Sequence, residues 1–191
     1  MWILSDYGGV LCLPQPDEDW ARMAEAAGMD VDAFHVAYWN RRIEYDRGDM
    51  SPLEYWSDVL GHNVPDVRLQ QLRELDVASW IHPNLETVRM YQEVRNGYDF
   101  ALLSNAPADL ARVVETLDWL PKIDPMFFSC DLRMTKPDPE IYAAVVSRMA
   151  VQPQDLILVD DRIENIEAAQ SLGLQTIHFT DARDLAGLEQ N

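Results

Sequence analysis

Two adjacent carboxylates give the clearest chemical signal in the sequence. Asp160 and Asp161 directly follow the four apolar residues 156–159. Two carboxylates at the end of a buried strand repel each other, so the arrangement is costly without a cation. Oxygen ligands suit Mg²⁺, which coordinates few carboxylates and keeps several waters. The pair therefore predicts a magnesium site, because stabilisation of the following helix by negative charge would explain one aspartate better than two.

A third carboxylate lies near the start of the chain. Asp6 follows the apolar run 2–4 and Ser5, and it comes shortly before Gly8 and Gly9. Glycines allow backbone amides to approach a ligand closely, and a carboxylate in such a loop can act as a nucleophile. Aspartate before glycines is also an ordinary turn sequence. The segment by itself leaves both interpretations open.

A serine and an asparagine follow another apolar run. Ser104 and Asn105 come directly after residues 100–103. They offer a hydroxyl, an amide and backbone N–H groups, which suit the oxygens of a phosphate group. The same residues are common at helix N-termini, and Pro107 stands where a first helical turn would begin. Phosphate binding and helix capping both remain open on these residues alone.

One lysine lies in a loop that prolines restrain. Lys136 belongs to the segment 133–140, which reads RMTKPDPE. Proline fixes its own backbone angle, so Pro137 and Pro139 hold the lysine in place before the next helix. Such a lysine could neutralise a carboxylate and a phosphate together, or it could simply be solvated.

The segments that carry these residues alternate between strand-like and helix-like patterns. Apolar runs predict strands at 2–4, 100–103, 126–128 and 156–159. Apolar residues at helical spacing predict helices over 110–117 and 142–149. Alternation of this kind predicts an α/β fold, a Rossmann-like parallel sheet sandwiched by helices. Ligands bind beyond the carboxyl ends of such strands, so we expect the polar residues above to converge there.

Residues 14–82 interrupt the alternation with several helical stretches. We interpret this segment as a helical cap inserted after the first strand, and residues 1–13 with 83–191 as the core. One predicted helix ends at Gly28, and another begins with a capping box at Ser51. Aromatic residues concentrate in this segment, and most are expected to pack its core rather than line a pocket: Phe34, Tyr38, Trp39, Tyr45, Tyr55 and Trp56.

Composition narrows the function classes. The 191 residues include 15 Lys plus Arg and 33 Asp plus Glu, a formal net charge of -18. This charge opposes binding to nucleic acid or to anionic lipid. Cys12 and Cys130 lack metal or disulfide spacing, and no segment has the length of a membrane span. We expect a cytoplasmic protein with no nucleic-acid or membrane partner, and pairing as a homodimer remains open.

Taken in order, these motifs resemble those of the haloacid dehalogenase superfamily over nearly the whole chain. The nearest resemblance is to sugar-phosphate phosphatases and to the N-terminal phosphatase domain of soluble epoxide hydrolase. The resemblance implies a C1-type cap, hydrolysis of a small phosphorylated metabolite, and a phosphorylated aspartate as the intermediate. It assigns the nucleophile to Asp6, phosphate contacts to Ser104, Asn105 and Lys136, and loop support to Asn165. It also implies that Mg²⁺ is held by Asp6, the Gly8 carbonyl, Asp161 and the adjacent Asp160, with Asp161 favoured as the direct ligand.

The residue at position 8 departs from the superfamily pattern. Most phosphatases that this chain resembles carry an aspartate there, which protonates the leaving group, whereas this sequence has Gly8. General acid catalysis typically contributes ~10²–10⁴-fold, or roughly 3 to 5 kcal/mol of barrier. We therefore expect either a substitute acid or a preference for activated phosphoesters such as sugar 1-phosphates.

Two other functions are compatible with parts of the sequence. A 2-haloacid dehalogenase would use the same Asp6 to displace halide, without a metal and without protonating a leaving group. A catalytically weak protein that binds a phosphorylated ligand would also tolerate Gly8. The intact Asp160–Asp161 pair favours the phosphatase over the dehalogenase, and the retention of four separate motif residues favours it over a protein without turnover.

Overall fold

The structure is a computed structural model that describes residues 1–94 and 97–190. Within these residues, five parallel strands form one sheet in the order β3-β2-β1-β4-β5. The strands are β1 Trp2–Ser5, β2 Asp99–Ser104, β3 Met126–Phe128, β4 Leu156–Asp160 and β5 Gln175–His178. The predicted α/β fold and its four predicted strands are confirmed. Strand β5 was not predicted, because this edge strand is only half-buried and has no continuous apolar run.

Both faces of the central strands are buried. Ile3 belongs to the apolar cluster on one face, and its neighbour Leu4 belongs to the cluster on the other. Successive residues of a strand point to opposite faces, so a strand covered on both sides must be apolar throughout. This requirement explains the continuous apolar runs of β1, β2 and β4.

Five consecutive helices follow β1 in the chain. They are α1 Asp17–Ala27, α2 Val31–Asn40, α3 Arg42–Asp46, α4 Pro52–Leu60 and α5 Asp66–Ser79. As predicted, α1 ends at Gly28, and α4 begins with a capping box between Ser51 and Glu54. The helices enclose an apolar cluster of their own, which buries Phe34, Tyr38, Tyr45, Tyr55 and Trp56. The cap boundaries at 14–82 and the core boundaries at 1–13 and 83–191 stay a prediction.

The remaining helices cover the two faces of the sheet. They are α6 Leu85–Glu93, α7 Ala108–Val114, α8 Ser129–Leu132, α9 Pro139–Met149 and α10 Ile163–Ser171. The predicted helix over 110–117 is confirmed as α7 but ends three residues early. In the described part of the chain, no helix is long and apolar enough to cross a membrane.

Candidate active site

The predicted site residues meet at the carboxyl edge of the sheet. Asp6 follows β1 directly, and its backbone N–H donates a 2.8 Å hydrogen bond to the Val159 carbonyl of β4. Ser104 ends β2 and Asp160 ends β4. A pocket of about 470 Å³ opens above this edge. Its walls include Asp6, Tyr7, Gly8, Gly9, Trp39, Arg42, Asp46, Trp80, Ser104, Asn105, Lys136, Asp161 and Asn165.

Lys136 lies between two of the carboxylates. Its Nζ is 2.7 Å from Asp6 Oδ1 and 2.6 Å from Asp160 Oδ2, and its side chain is 2% exposed. Burial alone would lower the pKa of Lys136, but the charges of Asp160 and Asp6 raise it above its ordinary value. The ammonium therefore stays charged, and the sequence alternative of a solvated loop lysine is wrong.

Asn105 holds the lysine loop in place. Its Nδ2 donates to the Lys136 carbonyl at 2.9 Å, and its Oδ1 accepts from the Lys136 N–H at 2.9 Å. Pro107 is the residue before the first turn of α7, and no side chain caps that helix. The sequence alternative of helix capping by Ser104 and Asn105 is therefore wrong. Binding of phosphate by Ser104 and by the Asn105 backbone amide stays a prediction.

Asp160 is fully buried and surrounded by hydrogen-bond donors. Its Oδ2 accepts from Lys136, and its Oδ1 accepts from Asn165 Nδ2 at 2.8 Å and from the Arg162 N–H at 3.0 Å. Both oxygens are thus engaged within the protein. This geometry makes Asp160 a positioning residue for Lys136, and Asn165 supports Asp160 in turn.

Asp161 lies directly against the backbone of the first loop. A Cβ added at Gly9 would overlap the Asp161 carboxylate, and Gly9 also has a φ of +76°. Only glycine meets both requirements without strain. Asp6, Asp160 and Asp161 each place a carboxylate oxygen within 4.8 Å of the others.

We name Asp6, Lys136, Asp160 and Asp161 the core cluster. Burial, together with the charges of Asp160 and Asp161, raises the pKa of Asp6 to about 7 although Lys136 opposes the shift. Burial and Asp160 likewise raise the pKa of Asp161. Three carboxylates thus face one ammonium, and this excess of negative charge fits a hard cation held by oxygen ligands.

The space beside Gly8 is occupied by Trp80 from the end of α5. A Cβ at position 8 would lie 3.2 Å from Cζ3 of the indole ring. The ring is fixed in turn, because the Trp80 carbonyl accepts from Tyr7 Oη at 2.6 Å and Trp80 Nε1 donates to Tyr38 Oη at 3.0 Å. A longer side chain at position 8 would have to displace Trp80.

A second ionic group lies on the cap side of the pocket, where Arg42 and Asp46 form part of the wall. We name Tyr38, Arg42, Asp46 and Asp76 the cap cluster. Arg42 Nε donates to Asp46 Oδ1 at 2.7 Å, and Nη1 donates to Asp76 Oδ1 at 3.1 Å. Tyr38 Oη donates to Asp76 Oδ1 at 2.6 Å and contacts Arg42. All four side chains are buried. Burial raises the pKa of Asp46 to about 6, although Arg42 opposes the shift.

The pocket residues that the cap supplies were not predicted from the sequence. Arg42 and Asp46 are four residues apart, so they share one face of a helix, and this spacing was an available signal. Asp76 lies 34 residues from Arg42, and nothing in the local sequence links the two. Trp39 is the exception to the predicted aromatic packing, because it is 44% exposed and lines the pocket.

A comparison with protein families matches residues 2–173 to the haloacid dehalogenase-like hydrolases. Flavin mononucleotide hydrolase 1 of Arabidopsis thaliana is 32% identical over 94 residues, which are 49% of this chain and 36% of the relative. Validoxylamine A 7'-phosphate phosphatase of Streptomyces hygroscopicus subsp. limoneus is 23% identical over 179 residues, 91% of this chain and 81% of the relative. The chain thus spans about a third of the first relative's length.

Solved structures share the fold. A haloacid dehalogenase family enzyme of Bacteroides thetaiotaomicron, crystallised with magnesium and inorganic phosphate, has a TM-score of 0.73 at 20% identity, with 91% of both chains covered. An L-2-haloacid dehalogenase has a TM-score of 0.74 at 18% identity, covering 100% of this chain and 98% of the other. At these identities the likeness concerns the fold alone, and a shared fold does not determine the reaction.

Proposed function

Since the chain belongs to the haloacid dehalogenase-like hydrolases, we propose that it is a Mg²⁺-dependent phosphatase of a small phosphorylated metabolite. Phosphatases among its relatives support the reaction class. The core cluster is the observation that carries the proposal. Its three carboxylates and one ammonium would repel a phosphate dianion, and a divalent cation would neutralise that negative excess.

Asp6 is the nucleophile in this proposal. Its Oδ1 accepts hydrogen bonds from Lys136 Nζ and from the Tyr7 N–H, both at 2.7 Å, so the carboxylate is held in one orientation. Its Oδ2 has no hydrogen-bond partner among the described residues. One carboxylate oxygen attacks phosphorus in line with the departing oxygen, and water then hydrolyses the aspartyl phosphate.

Mg²⁺ would be held by Asp6, by Asp161 and by the backbone carbonyl of Gly8. Within the described residues, that carbonyl accepts no backbone hydrogen bond. Asp160 would contribute its charge rather than a ligand atom, because Lys136 and Asn165 engage its oxygens. When bound, the ion would supply positive charge to the transferring phosphoryl group.

The remaining site residues orient the phosphoryl oxygens. Ser104 lines the pocket with its hydroxyl, and the Asn105 backbone amide follows it at the end of β2. Lys136 adds a fixed positive charge beside Asp6. Preorganised donors of this kind stabilise charge in the transition state better than mobile water does.

The same geometry disfavours a 2-haloacid dehalogenase. That reaction would bring a carboxylate substrate to the core cluster without a cation to offset three carboxylates. Gly8 is compatible with dehalogenation, but the negative excess opposes binding of its anionic substrate.

A metal-dependent assay tests the proposal. We expect hydrolysis of p-nitrophenyl phosphate by the wild-type protein with Mg²⁺, loss of that activity with EDTA, and a loss on the order of 10⁴-fold or more in Asp6→Asn. A matched variant is Asp19→Asn, which changes a carboxylate outside the pocket. Halide release from 2-chloropropionate that EDTA does not affect would instead identify a dehalogenase, and absence of both activities would leave ligand binding without turnover.

A further inference from the structure

The cap side of the pocket carries a carboxylate that the reaction proposed above leaves without a role. We propose that Asp46 is the acid that protonates the leaving group and then accepts a proton from the attacking water. This inference rests on the proposed phosphatase function. It replaces the preference for activated phosphoesters that Gly8 alone suggested.

The need for such an acid follows from the chemistry at position 8. An alkoxide is a poor leaving group, so cleavage of an alkyl phosphate is faster when a proton reaches the departing oxygen. Gly8 has no side chain, and the Trp80 ring fills the adjacent space with carbon atoms. A donor must therefore come from another wall of the pocket.

Contacts with the core hold Asp46 close to the proposed phosphate site. Ser129 Oγ accepts from the Ala106 N–H at 2.9 Å and donates to the Asp46 carbonyl at 2.6 Å. Ala106 follows Ser104 and Asn105 directly in the chain. One serine therefore joins Asp46 to the loop after β2. In-line attack by Asp6 sends the leaving oxygen to the side of phosphorus opposite Asp6, and Asp46 lines the same pocket.

The other acidic groups of the pocket are engaged elsewhere. Of the lining residues that the structure describes, the carboxylates are Asp6, Asp46 and Asp161. Asp6 is the nucleophile, and Asp161 is assigned to the cation. The Tyr7 hydroxyl already donates to the Trp80 carbonyl. Asp46 is thus the carboxylate available to the leaving group.

One oxygen of Asp46 is free to reach a substrate. Oδ1 accepts from Arg42 Nε, whereas Oδ2 has no hydrogen-bond partner among the described residues. Oδ2 is not fully buried, and Asp46 lines the pocket although the residue as a whole is only 7% exposed. A buried carboxyl with one anchored and one free oxygen has the geometry of a general acid.

The charged neighbours of Asp46 suit both halves of the reaction. Arg42 on α3 stabilises the carboxylate, while burial and Asp76 on α5 favour the protonated form. The pKa of about 6 lets the group donate a proton and take one back near neutral pH.

The proton balance closes over two steps. In the first, the Asp6 oxygen forms a bond to phosphorus, the phosphorus–oxygen bond to the leaving group breaks, and the Asp46 proton moves to that oxygen. In the second, the oxygen of water forms a bond to phosphorus, the bond between phosphorus and Asp6 breaks, and a proton of the water moves to Asp46; phosphate is released and the Asp6 carboxylate is regenerated.

Substrates that differ in leaving group test the role of Asp46. We compare kcat/KM for p-nitrophenyl, phenyl and benzyl phosphate in the wild type and in Asp46→Asn, which keeps an oxygen for Arg42. The wild type is expected to show a shallow dependence on leaving-group pKa. Asp46→Asn is expected to lose about 10²–10⁴-fold on benzyl phosphate and little on p-nitrophenyl phosphate, because nitrophenolate needs no proton.

Two controls separate catalysis from structure. Asp19→Asn changes a buried carboxylate outside the pocket that does not contact the cap cluster, so its effect should be equal for all three esters. Asp46→Glu restores a carboxyl group and should recover the shallow dependence. The kcat/KM of the wild type for benzyl phosphate should also decline as the pH rises, and this decline should be missing in Asp46→Asn.

The outcomes distinguish this inference from the proposed function. If the wild type hydrolyses the esters but Asp46→Asn loses the same factor on each, Asp46 is structural and the inference fails while the phosphatase stands. If Asp46→Asn does not fold, a steep leaving-group dependence in the wild type would overturn the inference by itself. If the wild type hydrolyses none of the esters, the proposed phosphatase function is overturned, and the inference about Asp46 falls with it.

Discussion

The core cluster and the cap cluster are built on the same plan but have different consequences. Each places one buried cation between two carboxylates: Lys136 lies between Asp6 and Asp160, and Arg42 lies between Asp46 and Asp76. Arginine carries five donors in a rigid fork, so Arg42 joins its two carboxylates into a network that includes Tyr38. Lysine is a compact charge, and Lys136 leaves the core cluster with an excess of carboxylates.

This difference explains why one cluster requires a ligand and the other does not. Within the described residues, the core cluster adds Asp161 to the pair around Lys136, so a cation is needed to balance it. The cap cluster is nearly complete within the protein, and the free Asp46 Oδ2 is the oxygen that it offers to the pocket. We expect the core cluster to respond to Mg²⁺ and the cap cluster to be indifferent to it.

Removal of the two cations should give the largest effects on stability. Lys136→Met and Arg42→Met each leave two buried carboxylates without their partner, and we expect each to lower the free energy of unfolding by about 3–5 kcal/mol in EDTA. Excess Mg²⁺ should restore part of the loss in Lys136→Met, because it can neutralise Asp6 and Asp160. Urea denaturation with and without Mg²⁺ measures both values.

The response of Arg42→Met to the metal provides the control for that experiment. Mg²⁺ should stabilise Arg42→Met by the same amount as the wild type, since the cap cluster holds no proposed ligand. If Mg²⁺ restored the same free energy of unfolding in Lys136→Met and in Arg42→Met, the core cluster and the cap cluster would not differ in their response to a cation.

A smaller effect is expected where the first loop supports the metal site. Gly9→Ala introduces a Cβ that overlaps the Asp161 carboxylate and forces alanine into a left-handed conformation, at a cost of about 1–2 kcal/mol. The displaced carboxylate should also weaken Mg²⁺ binding, which isothermal titration calorimetry measures.

Gly28→Ala is the matched variant for this change. Gly28 has a φ of +70° and no atom within 4 Å of an added Cβ, so the substitution carries the backbone strain alone. It should lower stability by a similar amount and leave Mg²⁺ affinity unchanged. A weakened affinity in Gly28→Ala would show that strain, rather than contact with Asp161, accounts for the result at Gly9.

The smallest effect is expected at a more exposed ion pair between α5 and α7. Arg73 donates to both oxygens of Asp109 at 2.7 and 2.8 Å, with its side chain 34% exposed. Solvent screens such a pair, so Arg73→Met should cost no more than about 1 kcal/mol in thermal or urea denaturation. A loss as large as that of Arg42→Met would refute the view that burial determines how much an ion pair contributes to the free energy of unfolding.

The sequence was sufficient to predict the fold and to single out all four residues of the core cluster. Apolar runs marked β1, β2, β3 and β4, because strands covered on both faces must be continuously apolar. Edge strand β5 escaped this signal, since its half-buried Gln175–His178 sequence mixes polar and apolar residues.

The sequence by itself determined that the site residues lie at the ends of strands or in a loop that prolines restrain: Asp6, Ser104, Lys136, Asp160 and Asp161. Because parallel strands end at one edge of the sheet, topology alone brings these residues together. Only the tertiary structure decided how their atoms are used: Asn105 holds the lysine loop, and Asp160 holds the ammonium. The cap cluster depends entirely on the tertiary structure. Its pairing of Arg42 with Asp76 depends on how two helices pack, and packing between distant segments leaves no periodic signal along the chain.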